Sequence, residues 1–181
     1  MRTRSCRGKG GGASGWIGVH FNIIADYPGC YGGLLALCSD IANGHLDDRA
    51  RKYLLGSWAT APLKPDGRER PTCVAEVFYR VTATHIIRGS RTEIGEVLGP
   101  IQYGCAISNG LSFASMLAQE RLLDADLKHA GCKLDIKSFF NNLDRNTMLS
   151  ELYSHNSLAQ LWRITSWAYS KPTEVFIRSR G

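Results

Sequence analysis

No stretch of this chain approaches the roughly 20 consecutive apolar residues that a membrane-crossing helix requires. The basic residues near its start are followed by no apolar segment of the kind a secretory leader carries, so neither a membrane span nor a signal peptide is expected. Six cysteines are present (Cys6, Cys30, Cys38, Cys73, Cys105 and Cys132), but no Cys-x-x-Cys pair and no Cys/His cluster. That spacing argues against a zinc site. An even count does not by itself make a disulfide framework in a chain with enough apolar residues for a core, so buried, reduced thiols in an intracellular protein are expected. His85, His129 and His155 likewise have no partner at metal-ligand spacing, which suits surface or helix-end roles. No internal repeat is visible. Acids are outnumbered 16 to 22 by Lys and Arg, for a net charge of +6. The first 20 residues hold Arg2, Arg4, Arg7 and Lys9 and no acid at all. Such a balance fits a polyanionic partner, although a solvated, flexible arm over residues 1–11 explains the N-terminal charges better than direct nucleic-acid contact does.

What is present is globular. With 181 residues, 44% of them hydrophobic and 21% charged, the chain can build one ordinary domain or a piece of a larger one. Leu34, Leu35, Leu37, Cys38 and Ile41 recur at helical spacing over 30–42, and Asn43-Gly44 ends them. Asp47-Asp48 opens a second helix reaching about Leu55; capping of that helix explains the pair better than catalysis does. Residues 57–63 read as a strand, Lys64-Pro-Asp-Gly67 as a turn, and Thr72 to Val74 as the returning strand. A helix from Glu76 to Arg88 follows, then a looser stretch to Gly99-Pro100 and a short strand near 101–107. Residues 111–128 read as a helix feeding a strand at 132–136. Helices near 144–154 and 157–169 come next, and Thr173–Ile177 is extended. Trp58, Trp162 and Trp167 are candidates for the core. The predicted class is mixed α/β.

Four stretches carry a resemblance. They are Gly12-Ala-Ser-Gly-Trp16, with the later Asn43-Gly44; Leu63-Lys-Pro-Asp-Gly-Arg-Glu-Arg-Pro71; Gly99-Pro-Ile-Gln-Tyr-Gly104; and Leu134-Asp-Ile-Lys-Ser-Phe-Phe-Asn-Asn-Leu-Asp-Arg145. In that order and spacing they resemble the G-x-S-G-W, K-P-D-G-x-x-R-P, G-P-x-Q-x-G and D-x-x-x-A-F-N-x-x-D-R elements of non-LTR retrotransposon reverse transcriptases. The resemblance implies the fingers and partial palm of a right-hand polymerase, with fingers over about 12–130 and palm beginning at about 131–181. It implies an RNA template, a DNA primer and deoxynucleotides as partners, Mg2+ as cofactor, and a nuclear setting if the parent element acts on chromosomal DNA.

By the same resemblance Asp135 is the first of three palm carboxylates, both catalytic and a magnesium ligand. Nucleotide addition is an in-line displacement in which two metal ions hold the attacking and leaving oxygens, and magnesium takes only one or two carboxylates per ion beside phosphate and water. Read alone, Asp135 is better explained as a strand-end residue accepting hydrogen bonds. Phe140 is implied to be the steric gate under the incoming sugar; the plain alternative is a core aromatic, as Phe139 is expected to be. If strand geometry persists, the two rings point to opposite sides. Lys64 and Arg70 flank the hairpin tip and are implied to grip the triphosphate, arginine in a forked manner; without the resemblance they belong to a charged surface hairpin. Gln102 and Tyr103 are implied to shape the template side; the plain alternative is a buried turn that satisfies its own backbone.

The chain departs from the family pattern at Phe139, where a small residue is usual, and at Ser108-Asn109-Gly110. Arg178-Ser-Arg-Gly181 resembles the lead-in to a G-x-x-Q-G element that does not follow, and no aromatic-x-Asp-Asp motif is present. With one of three carboxylates the chain is expected to be inactive and to leave a sheet edge and part of its core uncovered. A non-enzymatic nucleic-acid-binding remnant is the alternative, and an unrelated α/β domain with accidental matches is a third.

Overall fold

The computed structural model describes residues 10–60, 67, 72–124, 131–132, 134–136 and 139–177. The chain divides into two compact units, one built from residues 1–88 and 160–181 and the other from 89–159.

The first unit contains helices α1 (Gly18–Asp26), α2 (Pro28–Asn43), α3 (Asp48–Leu55) and α4 (Val77–Gly89), with nearly all of α9 (Ala159–Tyr169). Its small sheet has the order β2-β1-β3, from β1 (Ser57–Thr60), β2 (Thr72–Ala75) and β3 (Val175–Ile177). β1 and β2 are antiparallel, with Ser57 opposite Ala75 and Thr60 opposite Thr72, whereas β3 lies parallel to β1. Two apolar clusters make the core. Phe21, Leu34, Cys38, Val77 and Val81 form one; Ile41, Leu55, Ile164, Trp167 and Ala168 form the other, and Phe78 packs against both. α2 serves both clusters because Leu34, Cys38 and Ile41 fall four and three residues apart on one stripe.

The joints between these helices have local causes. Gly44 adopts φ 66° at the end of α2, a left-handed conformation that glycine takes without steric cost. The approach is also tight: a Cβ there would lie 3.0 Å from Trp167 Cβ. Trp167 in turn donates its indole N–H to the Leu46 carbonyl at 3.0 Å. Asp47 caps α3 by accepting from the Ala50 amide at 2.8 Å, so the acidic pair performs the helix-start role its setting suggests.

The second unit holds α5 (Arg91–Leu98), a 3-10 turn at Gly99–Ile101, α6 (Gly110–Leu123), the single-turn α7 (Phe139–Asn142), α8 (Arg145–Ser154) and a 3-10 turn at Asn156–Leu158. Neither core cluster draws on it. The strand expected near 101–107 is replaced by the 3-10 turn and a run of bends, because Ala106 (φ 61°) and Asn109 (φ 55°) are left-handed and no strand continues through such residues. The strand expected at 132–136 is also absent among the described residues: 131, 132 and 134–136 are irregular and exposed. Of the free cysteines described, Cys38 alone is buried; Cys30, Cys73, Cys105 and Cys132 are exposed, contrary to the expectation of buried thiols. Trp167 is buried, while Trp58 and Trp162 are half-buried. No helix among the described residues is long and apolar enough to cross a membrane. The class is thus mixed α/β, mostly helical with a small three-stranded sheet.

Candidate functional site

The Gly12–Trp16 stretch is a turn docked on the first turn of α4. Glu76, 4% exposed, accepts the Ser14 amide at 2.6 Å on one carboxylate oxygen and the Ser14 hydroxyl at 2.5 Å on the other. The Ser14 hydroxyl also accepts from the Trp16 amide at 3.2 Å. Gly12 is pressed against the same side chain: a Cβ there would stand 2.6 Å from Glu76 Oε1 and 2.8 Å from its Cα. Gly15 turns the chain at φ 79°, and Trp16 then packs on Phe78 and His20 with ring centroids 5.6 and 5.7 Å apart. A mostly apolar groove of about 390 Å³ opens beside it, lined by Ser14, Gly15, Trp16, His20, Ile23 and Ile24.

The antiparallel pairing of β1 with β2 is what a hairpin with its tip between 61 and 71 requires. Gly67 at φ 77° has the left-handed backbone that the Pro-Asp-Gly signal anticipates. Lys64, Arg68 and Arg70 lie outside the described residues, as do Lys133, Lys137 and His129.

In the second unit Gln102 folds its side-chain oxygen back to accept the Gly104 amide at 2.8 Å. Tyr103, half-buried, packs its ring on Phe113 at 5.5 Å, and Gly110 sits directly against the Tyr103 carbonyl, where no side chain fits. Arg91 closes the neighbouring bend by donating to the Ala106 carbonyl at 2.9 Å. Gln102 is exposed, and this bond is local to its own turn. Asp135 is exposed on irregular backbone rather than at a strand end. Phe140 is 88% exposed in α7, and its ring meets that of Phe139 edge-to-face at 5.4 Å. The expectation that these rings face opposite sides fails because the backbone there turns as a helix rather than running as a strand. Asp135, Phe140, Gln102 and Tyr103 are not joined to one another by hydrogen bonds or ring contacts among the described residues. Asp144, the acid of the Asp-Arg pair in the palm-like motif, caps α8: it accepts from the Thr147 amide and hydroxyl, each at 2.7 Å. Those bonds hold its carboxyl below the usual range.

No three His, Cys, Asp or Glu side chains converge to hold a metal among the described residues. The residues that organise the first unit, Glu76 and Arg51, were not singled out by sequence. Glu76 stands at the predicted start of α4 and lies 62 positions from Ser14, a distance that no local pattern bridges.

No protein-family model matches the chain, and no solved structure does. The chain is similar to the retrotransposable element SLACS 132 kDa protein of Trypanosoma brucei gambiense, 26% identical over 183 aligned residues that take in the whole of this chain. It spans about 15% of that protein's length. The sequence is thus related, at low identity, to a retrotransposon protein.

Proposed function

We propose that this chain contributes the fingers and the start of the palm to a retrotransposon RNA-directed DNA polymerase and does not polymerise by itself. The observation that carries the reading is similarity to a retrotransposable-element protein along the entire chain, with the four motifs in the polymerase order. The antiparallel β1–β2 pair supports the hairpin, and the docked Gly12–Trp16 turn gives the first motif a structural logic. In this reading Lys64 and Arg70 neutralise and orient the triphosphate, Phe140 lies under the incoming sugar, and Gln102 and Tyr103 border the template. Asp135 supplies one carboxylate of the magnesium site, the others coming from further sequence of the parent protein.

The test is binding of a deoxynucleoside triphosphate to the chain in the presence of an RNA template, a DNA primer and magnesium. Each charged hydrogen bond to phosphate is worth enough that Lys64→Ala and Arg70→Ala should each weaken binding about tenfold. Binding indifferent to both substitutions would refute the nucleotide site. Primer extension should stay at background; extension that disappears in Asp135→Ala would overturn the inactive part of the proposal. Binding of RNA that falls steeply with salt but ignores triphosphate and magnesium would favour the non-enzymatic remnant.

A further inference from the structure

Arg51 is 4% exposed, and its guanidinium faces backbone oxygens rather than a carboxylate. Its Nε donates to the Trp167 carbonyl at 2.5 Å, one terminal nitrogen to Ala168 (3.1 Å) and Lys171 (2.5 Å), and the other to Pro172 (3.3 Å). Four carbonyls at and just beyond the end of α9 thus converge on one planar fork, a geometry that lysine's single ammonium cannot reproduce. The chain then runs into β3, whose three residues are all exposed: Val175 at 50%, Phe176 at 37% and Ile177 at 79%. A three-residue strand exposed on both faces buries too little to hold itself in place. The ion pairs Lys171–Asp48 (2.5 Å) and Lys52–Glu174 (4.0 Å) are more than half exposed, and such pairs contribute little. Two anchors remain. One is Arg51; the other is the Phe176 ring, which packs on Trp58 at 5.6 Å and fits because Gly56 has no Cβ (one there would lie 3.1 Å from the ring).

We infer that residues 170–177 form a strap over one edge of β1, held shut by Arg51, that opens locally ahead of the rest of the first unit. β1 is the inner strand of the sheet and the root of the chain leading to 61–71. On the polymerase reading the strap therefore sets how firmly the Lys64/Arg70 hairpin is rooted, with Arg51 as its positioning residue; that consequence rests on the reading above, whereas the strap does not.

Strand alternation makes the test specific. The Ser57 amide donates to the Glu174 carbonyl at 3.2 Å, so the Ser57 and Ala59 amides face β3 while those of Trp58 and Thr60 face β2. Residue-resolved amide hydrogen exchange on the full chain, with no nucleotide present, reads the two sets separately. In Arg51→Met, exchange at Ser57 and Ala59 should rise about tenfold or more, leaving Trp58 and the α2 amides within about twofold. Arg51→Lys should fall between. If Arg51→Met does not fold, Phe176→Ala, which leaves no buried group unmatched, should give the same alternation. Uniform acceleration across α2 and both faces of β1, or no acceleration at Ser57, overturns the strap. Triphosphate binding, measured separately in the same variants, can fail without touching this result.

Discussion

The Gly12–Trp16 turn is held by a contact whose worth can be measured by a double-mutant cycle. Glu76→Ala removes two hydrogen bonds to a carboxylate, those from the Ser14 amide and hydroxyl. Bonds to charged groups contribute roughly 1.5–3 kcal/mol each. Two effects reduce the sum here: Ser14 is exposed, so its donors recover water when the partner is lost, and removing a buried carboxylate relieves its desolvation. A net loss of about 2 kcal/mol is the expectation. Gly12→Ala attacks the same contact from the other side. Its Cβ would stand 2.8 Å from Glu76 Cα, a backbone atom that cannot swing away, so the turn must lift and the Ser14 bonds must lengthen. Overpacking of this kind costs about 1–3 kcal/mol.

If both substitutions act by undocking one turn, the second has little left to undo. The double variant should lose about 2–2.5 kcal/mol rather than the roughly 4 of independent effects, a coupling of about 1.5 kcal/mol. Urea unfolding followed by tryptophan fluorescence is the assay, because Trp16, Trp58, Trp162 and Trp167 all belong to the unit that contains the turn. Equal m-values across the four proteins are required for the comparison. Losses that add to within about 0.5 kcal/mol, or a Glu76→Ala loss below that figure, would show that the turn is not held by this contact.

Gly44→Ala should cost about 2 kcal/mol, since it places a side chain at φ 66° and sets a Cβ 3.0 Å from Trp167 Cβ and 3.3 Å from the Arg163 carbonyl; the same urea assay checks it. The Asp48 carboxyl is held below its ordinary value of 3.8, first by its hydrogen bond to Lys171 and then by that residue's charge. A depressed folded pKa contributes stability that is present above the ordinary value and is lost as pH falls through the folded one. Asp48→Asn should therefore slightly lower the urea midpoint at pH 7 and match the parent at the acid end; equal offsets at both pH values would refute the pairing.

Helices closed by local signals were legible in the chain. Asn43-Gly44 ends α2 and Asp47 begins α3 where capping chemistry says they should, and α8 begins after Asp144 for the same reason. The two paired strands were legible because a Pro-Asp-Gly turn separates them. α1 and α5 are helices that the sequence reading does not anticipate. α5 carries a readable signature, Ser90 followed by Glu93 in capping-box spacing, while α1 has only a weak apolar stripe through Phe21 and Ile24. Long-range arrangement left no trace in local pattern. β3 reads as extended, but its parallel place beside β1 depends on residues 57–59, and Arg51 sits between Arg49 and Lys52 in what looks like a solvated helix. Its burial becomes visible only when residues 167–172 are brought to it.

The strand expected beneath Asp135 exposes a limit of another kind. Lys133 to Ile136 offers a short apolar run around one acid, which by itself suits a buried strand, yet Leu134 is 87% exposed and Ile136 65%. A strand needs a neighbour to pair with, and the only sheet among the described residues, β2-β1-β3, lies in the other unit. Local apolarity therefore supplied a propensity without a partner, and propensity alone does not outweigh the conformational entropy of ordering a strand. The buried polar contacts of Glu76 and Arg51 and both apolar clusters lie in the first unit, where substitutions act on folding. Asp135 and Phe140 lie exposed in the second, where replacing them removes little packing; on the polymerase reading, a loss of nucleotide binding on changing either would therefore report on the site rather than on the fold.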